Sequence, residues 1–224
     1  MVNRLRRRFG ELEPPRRTDP LDELILTVLS QHTSDLNAER AFGSLRARFP
    51  TWRQLVAARS RSVADAIRSG GLANTKAPRI QSILREIHRR EGRYDLAWME
   101  DATDEEIRSY LVSLPGVGPK TAAVVLAFAL GRAAIPVDTH VHRVTKRLGL
   151  VPARSTAEKA DRALHDAVPP TLRVPLHVGL IRLGREICKA GRPRCEECPL
   201  MDLCPTAPKY LVGQVKQAGR RADT

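Results

Sequence analysis

The stretch Leu114-Pro115-Gly116-Val117-Gly118-Pro119-Lys120-Thr121 joins two helical patterns through a very short turn. Gly116 and Gly118 permit positive φ angles there, and Pro119 suits the first turn of the helix that follows. Free backbone N–H groups at the start of that helix are a ready contact for phosphate. A Walker A loop is excluded, because Pro119 stands where that loop needs a glycine before its lysine. The turn is therefore either a structural corner between two helices or an anchor for a DNA backbone.

Helical patterns continue on both sides of this turn. Apolar residues recur at helical spacing after Asp19-Pro20, from Asp35 to about Phe49, from Thr75 to about Arg90, and from Leu172 to about Ile187. Helix caps are expected at Asp19, Thr51, Thr103 and Ser155. Alternating apolar runs bounded by hairpin turns are missing from the sequence, so we predict an all-α fold.

The composition favours a polyanionic partner. Lys and Arg number 38 against 25 Asp and Glu, which gives a formal net charge of +13, and 31 of the basic residues are Arg. Aromatic residues make up 4% of the chain, too few for a surface that reads single strands by stacking. The longest uncharged apolar run, Thr121 to Gly131, is too short to span a membrane, and no signal peptide is visible. We therefore expect a cytoplasmic protein that binds nucleic acid and has no membrane partner.

Four cysteines lie close together near the end of the chain, at Cys188, Cys195, Cys198 and Cys204. Structural zinc sites usually take their ligands from two well-separated pairs, and this array has a single Cys-x-x-Cys with one cysteine on each side. Four thiolates this close suit a [4Fe–4S] cluster, with zinc or disulfides as the alternatives. The loop after the first cysteine carries Lys189, Arg192 and Arg194. These three cations are either a contact for a phosphate backbone or an ordinary solvated charge run.

Three motifs together resemble the endonuclease III branch of the helix-hairpin-helix DNA glycosylases. They are LPGVGPKTA at the turn, VDTHVHRV at 137–144 and the C-x6-C-x2-C-x5-C array, and the resemblance extends from about Leu21 to Pro205. It implies two helical lobes with a cleft between them. Residues 18–133 would form a six-helix barrel with the hairpin. Residues 1–17 and 134–208 would form the iron-sulfur cluster domain, and 209–224 a flexible basic tail.

The resemblance also implies roles for individual residues. Lys120 matches the family's Schiff-base lysine and Asp138 its catalytic aspartate, while Leu72 matches a leucine that wedges into DNA beside the flipped nucleotide. Gly116 and Gly118 of the hairpin would contact the DNA backbone, and the four cysteines would ligate the cluster. Where many members read LSAQATD, this chain reads LSQHTSD at 29–35. His32 thus stands at the position of the gap-filling glutamine, one residue after Gln31. Of the two we expect Gln31 to fill the gap, because its amide can hydrogen-bond an orphaned base on either edge.

The chemistry expected of this family needs the residue types found at the two central positions. A neutral lysine amine can attack C1′ of a damaged nucleotide and form an iminium, whereas an arginine cannot. The start of a helix and apolar neighbours such as Ala122 and Val124 are expected to favour the neutral amine of Lys120. Asp138 can take a proton or stabilise positive charge on the sugar. The residues alone, without the companion motifs, favour simpler roles: Lys120 as a phosphate clamp and Asp138 as a helix cap.

We therefore expect a bifunctional DNA glycosylase and abasic-site lyase of base excision repair that removes oxidised pyrimidines. A monofunctional mismatch glycosylase is one alternative, against which Lys120 argues because such enzymes lack lysine at this position. A non-catalytic iron-sulfur module that binds DNA is the other. The expected partner is damaged double-stranded DNA, bound by a monomer at the nucleoid of a bacterial cytoplasm.

Overall fold

The computed structural model describes residues 1–13 and 18–211, and within these ranges all regular structure is helical. The α-helices are α1 (Val2–Phe9), α2 (Pro20–Ser30), α3 (Asp35–Arg48), α4 (Trp52–Ala57), α5 (Ser60–Ala66), α6 (Ala73–Glu91), α7 (Asp104–Val112), α8 (Pro119–Val124), α9 (Thr139–Arg147), α10 (Ala157–Ala167) and α11 (Pro170–Glu186). A π-helical turn, Val125–Ala129, continues α8. Short 3₁₀ helices cover Arg68–Gly70, Ala97–Glu100, Cys195–Glu197 and Met201–Leu203. The prediction of an all-α fold is confirmed.

Residues 207–211 are helical, so the expected flexible tail, 209–224, begins inside a short helix. The rest of that tail, residues 212–224, lies outside the described residues. None of the helices in the described ranges has the length and apolar character needed to cross a membrane.

Most helix starts follow from local capping. Asp19 caps α2 by accepting two backbone N–H groups, and Thr51 and Thr103 each close a capping box with the third residue of their helix. The cap expected at Ser155 is wrong. Helix α10 begins one residue later, and the hydroxyl of Thr156 accepts the third backbone N–H of the helix at 3.3 Å. Two hydroxyl residues adjoin at this point, and only the second precedes the first helical residue directly.

Residues 18–132 form one compact unit of the described chain. Helix α2 is buried along most of its length and packs against α3, α6 and α8. It carries one buried acid, Glu23, whose carboxylate accepts hydrogen bonds from Thr18 at 2.7 Å and from Thr27 at 3.4 Å. Burial raises the pKa of Glu23 above its ordinary value, because desolvation penalises the charged form more than the two hydroxyls favour it.

Residues 1–13 with 133–211 form the other compact unit. Helix α11 packs against α1 on one side and against α9 on the other. Helix α1 approaches α11 closely at Gly179, where a Cβ would lie 2.8 Å from Leu5 Cδ1 and 3.1 Å from Leu5 Cβ. The apolar core of this unit also takes in Val141, Val144 and Leu200, and three of the four cysteines pack against it. The N-terminal residues and the cysteine region therefore share one core.

Candidate functional site

The turn at residues 113–118 connects α7 to α8, as the glycine-containing motif predicts. Gly116 has φ 72°, a backbone conformation that favours glycine, so this expectation is confirmed. Gly118 does not use the freedom that a glycine permits: its φ is −107° and its ψ 176°, which is extended backbone open to any residue. A Cβ added at Gly118 would have no neighbour within 4 Å. The fold itself does not require glycine at 118, whereas a closely approaching ligand would.

Lys120 is the second residue of α8, and its side chain is exposed. The apolar neighbours expected to desolvate its amine do not cover it, because Ala122 and Val124 are buried in the helical core. The amine of Lys120 therefore lies at the surface, and only a bound partner could exclude water from it.

Asp138 is the residue before α9 and caps that helix. Its Oδ1 accepts the backbone N–H of Val141 at 2.7 Å, and its side chain is half-buried. The chain just before it is held by His177, whose Nδ1 lies 2.8 Å from the carbonyl oxygen of Pro136. Capping occupies one carboxylate oxygen and orients the group, which leaves the other oxygen available for chemistry. The capping and catalytic interpretations of Asp138 are thus compatible.

Two candidate DNA-contacting residues share an unusual backbone conformation. His32 has φ 56° and Leu72 has φ 48°, and no other non-glycine residue among those described has a positive φ. Both side chains are exposed. Gln31 differs from its neighbour: it is half-buried, and its Oε1 accepts a hydrogen bond from Arg79 Nη1 at 3.1 Å.

The sequence analysis did not single out Lys76 and Arg79, two basic residues of α6 that contact the chain next to His32 and Leu72. Lys76 is buried, and its Nζ donates to the carbonyl oxygen of Leu29 at 2.6 Å and to that of Gly70 at 2.8 Å. Desolvation lowers the pKa of Lys76, and the nearby charge of Arg79 adds to the effect. Most basic residues of this chain are arginines, so a lysine at a special position is a candidate for a role that needs its amine. This applies to Lys76 as much as to Lys120.

The four cysteines form no disulfide and line one small cavity, together with apolar residues of α9 and α11. Within residues 1–13 and 18–211, no three His, Cys, Asp or Glu side chains converge as ligands of a single metal ion would. The thiols surround a shared space instead, and a cluster with one iron for each thiolate fits that donor set. Burial raises the pKa of the Cys195 and Cys198 thiols, so thiolates there need a bound cation nearby.

Arg147, at the end of α9, connects this cavity to the loop that follows the first cysteine. Its Nη1 lies 3.3 Å from Cys188 Sγ and donates to the carbonyl oxygen of Lys189 at 2.7 Å, while its Nη2 donates to that of Ala190 at 2.8 Å. Its guanidinium also lies over the ring of Tyr210, 4.9 Å from the centroid. One side chain therefore holds both a candidate cluster ligand and the adjoining basic loop.

The three cations of that loop are not equivalent. Lys189 and Arg192 are exposed. Arg194 pairs with Glu197 at 3.0 Å and donates to the carbonyl oxygen of Glu186 at 2.8 Å. All three cations are therefore exposed, and Arg194 in addition helps to fold the loop.

Two family models match the chain. Residues 25–170 match the HhH-GPD superfamily base excision DNA repair protein, and residues 188–204 match the iron-sulfur binding domain of endonuclease III. The first match contains both Lys120 and Asp138. The second begins at Cys188 and ends at Cys204.

Curated relatives agree with these models. The chain is 38% identical over 204 residues to endonuclease III of Thermotoga maritima, and the match covers 91% of each protein. It is 35% identical over 189 residues to endonuclease III of Bacillus subtilis, covering 84% of this chain and 81% of that one. A putative DNA glycosylase of Arabidopsis thaliana is 38% identical over 190 residues, and the match covers 81% of this chain and 65% of the plant protein.

Solved structures give the same result. A trapped covalent intermediate of endonuclease III with DNA matches with a TM-score of 0.80 and 31% identity, covering 94% of this chain and 95% of that one. A thermostable thymine-DNA glycosylase matches with a TM-score of 0.75 at 23% identity, covering 93% of this chain and 95% of that one, which shows the shared fold.

Proposed function

The chain belongs to the HhH-GPD superfamily of base excision DNA repair proteins and is an endonuclease III-like DNA glycosylase, and we propose that it also cuts the DNA strand through a lysine Schiff base. Its substrate in this proposal is an oxidised pyrimidine in duplex DNA. The observation that carries the proposal is an exposed lysine in the first turn of α8, directly after the glycine turn. An amine in this place can reach a bound DNA strand without any rearrangement of the core.

Lys120 acts as the nucleophile. Its neutral Nζ bonds to C1′ as the glycosidic bond breaks, and the base leaves with the bonding electrons and a proton. Opening of the sugar ring then leaves an iminium between Nζ and C1′. Loss of a proton from C2′ expels the 3′-phosphate and cuts the strand. Because the amine is exposed in the free protein, the bound duplex itself must exclude water from it.

Asp138 acts as the carboxylate of the reaction. One oxygen is fixed by the cap of α9, and in this proposal the other takes a proton from the amine or stabilises positive charge on the sugar. An aspartate held in this way needs little reorganisation when charge develops. The cap is thus part of the catalytic role that we assign to it.

DNA is held through its backbone. Amide groups of the turn at Gly116 and Gly118 and the exposed cations Lys189 and Arg192 are our candidate phosphate contacts. Leu72, 57% exposed, is our candidate wedge beside the opened base pair. The protein acts in this proposal as a monomer at the chromosome.

The chain binds a [4Fe–4S] cluster, for which we assign the four cysteines as ligands. When bound, the cluster cross-links four points between residues 188 and 204, a segment with only two 3₁₀ turns of its own. Arg147 then holds the basic loop against that fixed frame. We assign the cluster a structural role in presenting Lys189 and Arg192.

Incubation with a duplex that carries a single abasic site tests the proposal most simply. A bifunctional enzyme cuts the strand at that site. A monofunctional glycosylase leaves that strand intact but releases the base from a second duplex that carries a damaged or mismatched base, and a non-catalytic module binds and does neither.

A further inference from the structure

The segment after the last cysteine, residues 205–211, lies outside the two ranges that the family models match, 25–170 and 188–204. It nevertheless lines the cavity that the four cysteines surround, through Thr206, Ala207 and Tyr210. Ala207 is 3% exposed, and residues 207–211 are helical. The segment is therefore folded against the cavity and forms part of its wall.

The start of this segment is bonded to the last residue of α9. The carbonyl oxygen of Arg147 accepts the hydroxyl of Thr206 at 2.6 Å and the thiol of Cys204 at 3.2 Å. Carbonyl groups in the last turn of a helix have no partner within the helix, so these bonds also complete the end of α9. A cysteine that ligates iron is a thiolate and has no proton to donate. The bond from Thr206 is therefore the one that anchors the segment when the cluster is bound.

The side chain of the same arginine is covered by Tyr210. The guanidinium carbon of Arg147 lies 4.9 Å from the centroid of the Tyr210 ring, a cation–π contact. The N–H groups of the guanidinium are used elsewhere, on the sulfur of Cys188 and on the carbonyl oxygens of Lys189 and Ala190. Its edges thus bind the loop that begins at the first cysteine, and its face is covered by a ring that follows the last cysteine. Arg147 connects the two ends of the cysteine region.

We propose that Thr206 and Tyr210 form a clasp over the cluster cavity, and that this clasp slows the loss of iron by keeping water and chelators from the outer cysteines, Cys188 and Cys204. The inference rests on one part of the proposed function, the assignment of the cysteines as cluster ligands. Both outer cysteines are only partly buried, whereas Cys195 is buried, so their sulfurs depend on neighbouring side chains for cover. The residues that surround a metal site control the access of solvent to it.

Release of iron to an excess of EDTA, measured without oxygen, tests the clasp. The loss of absorbance at about 400 nm gives the rate. Tyr210→Ala should raise this rate about tenfold, because the segment opens more often once the cation–π contact is removed. Tyr210→Phe keeps the ring and should release iron at close to the parental rate. Tyr94→Ala is the matched control, since Tyr94 is a half-buried tyrosine of the other compact unit and stacks on His88 instead.

A second set of variants tests the anchor and separates the clasp from general stability. Thr206→Val removes the donor to the Arg147 carbonyl and should raise the rate about threefold, while Thr206→Ser still donates and should not. In an Arg147→Met background, Tyr210→Ala should add little, because the ring then has no cation to cover. Ile135→Val removes one methyl group from the core of the same unit, at a residue that does not line the cavity, and is the control for a general loosening of the fold.

The outcomes separate this inference from the assignment on which it rests. If the parent protein, prepared without oxygen, holds no cluster, the assignment of the cysteines fails, and the clasp fails with it. If the parent holds its cluster and Tyr210→Ala releases iron at the parental rate, the clasp alone is overturned. The clasp is also overturned if Ile135→Val releases iron as fast as Tyr210→Ala, because unfolding of the whole unit then sets the rate. If Tyr210→Ala cannot be purified with its cluster, the comparison of Thr206→Val with Thr206→Ser decides in the same way.

Discussion

Arg147 donates a hydrogen bond toward the sulfur of Cys188, at 3.3 Å, from a helix 41 residues earlier in the chain. The same guanidinium binds two carbonyl oxygens of the loop that begins at Cys188. A bond of this kind stabilises negative charge on sulfur, and hydrogen bonds to ligand sulfurs are among the features that set a cluster's potential. With Cys188 as a cluster ligand, as we propose, Arg147 would link the electronic state of the cluster to the shape of the basic loop.

Replacing Arg147 should change both the reduction potential of the cluster and the stability of the fold. Arg147→Met should lower the reduction potential of the cluster, because the reduced form carries more negative charge and no longer has its donor. It should also lower the free energy of unfolding by roughly 2 kcal/mol, since the charged hydrogen bonds to the loop are removed. Voltammetry and denaturant titration measure the two effects, with absorbance at about 400 nm confirming that iron is retained. An unchanged potential at full iron content would contradict the assigned bond.

The salt dependence of DNA binding should distinguish the cations of the loop. Replacing Lys189 and Arg192 by Met together should reduce the slope of log K against log salt by about 1.8, because each phosphate that a cation neutralises adds about 0.9 to that slope. Arg194→Met should change the slope less, because Arg194 is paired with Glu197 at 3.0 Å. Equal slopes in all variants, measured on undamaged duplex, would show that the loop does not touch the backbone.

The buried acid of α2 predicts a pH dependence of stability. Because burial raises the folded-state pKa of Glu23 above its ordinary value of 4.5, the folded protein holds this proton more tightly than the unfolded chain does. The carboxyl group therefore destabilises the fold above the unfolded pKa and not below it. Glu23→Gln should raise the free energy of unfolding at pH 7, and the gain should vanish as the pH falls below about 4. Denaturant titrations at a series of pH values, with exposed Glu39→Gln as the control, would measure it.

Local features of this fold could be predicted from sequence, because their physics is local. Asp19, Thr51 and Thr103 cap helices through amides two or three residues away, and the pattern is visible in the residue order. The same reasoning placed one cap a residue early, at Ser155, where two hydroxyl residues adjoin. A glycine shows which backbone conformations are permitted and not which one is adopted: Gly116 has a positive φ, whereas Gly118 does not.

The contacts that organise the candidate site could not be predicted in that way. Arg79 and Gln31 are 48 residues apart, and Lys76 and Leu29 are 47 apart. Each pair meets only because α6 packs against α2, and a single sequence carries no signal for which polar side chains such packing brings together. The motif identified the residues that touch DNA in our proposal, and the structure added those that position them.

The role of Asp138 in catalysis can be separated from its role as a cap. Asp138→Asn keeps an oxygen that can accept the N–H of Val141, so fold and lesion binding should persist. Base excision should fall by roughly 10²–10⁴-fold, the range for removal of an acid–base group. On a preformed abasic site no base has to leave, so the defect should be smaller there. Equal defects on both substrates would assign Asp138 to the lyase step instead.

The central claim is that the amine of Lys120 forms the covalent intermediate, and borohydride trapping on an abasic duplex tests it most directly. Borohydride reduces an iminium to a stable amine, so the parent protein should become covalently attached to the DNA. Lys120→Gln removes the nucleophile and keeps a polar side chain of similar length. This variant should give neither adduct nor nick while still binding an abasic analogue. A Lys120→Gln protein that is trapped or cuts the strand at close to the parental rate would contradict the account.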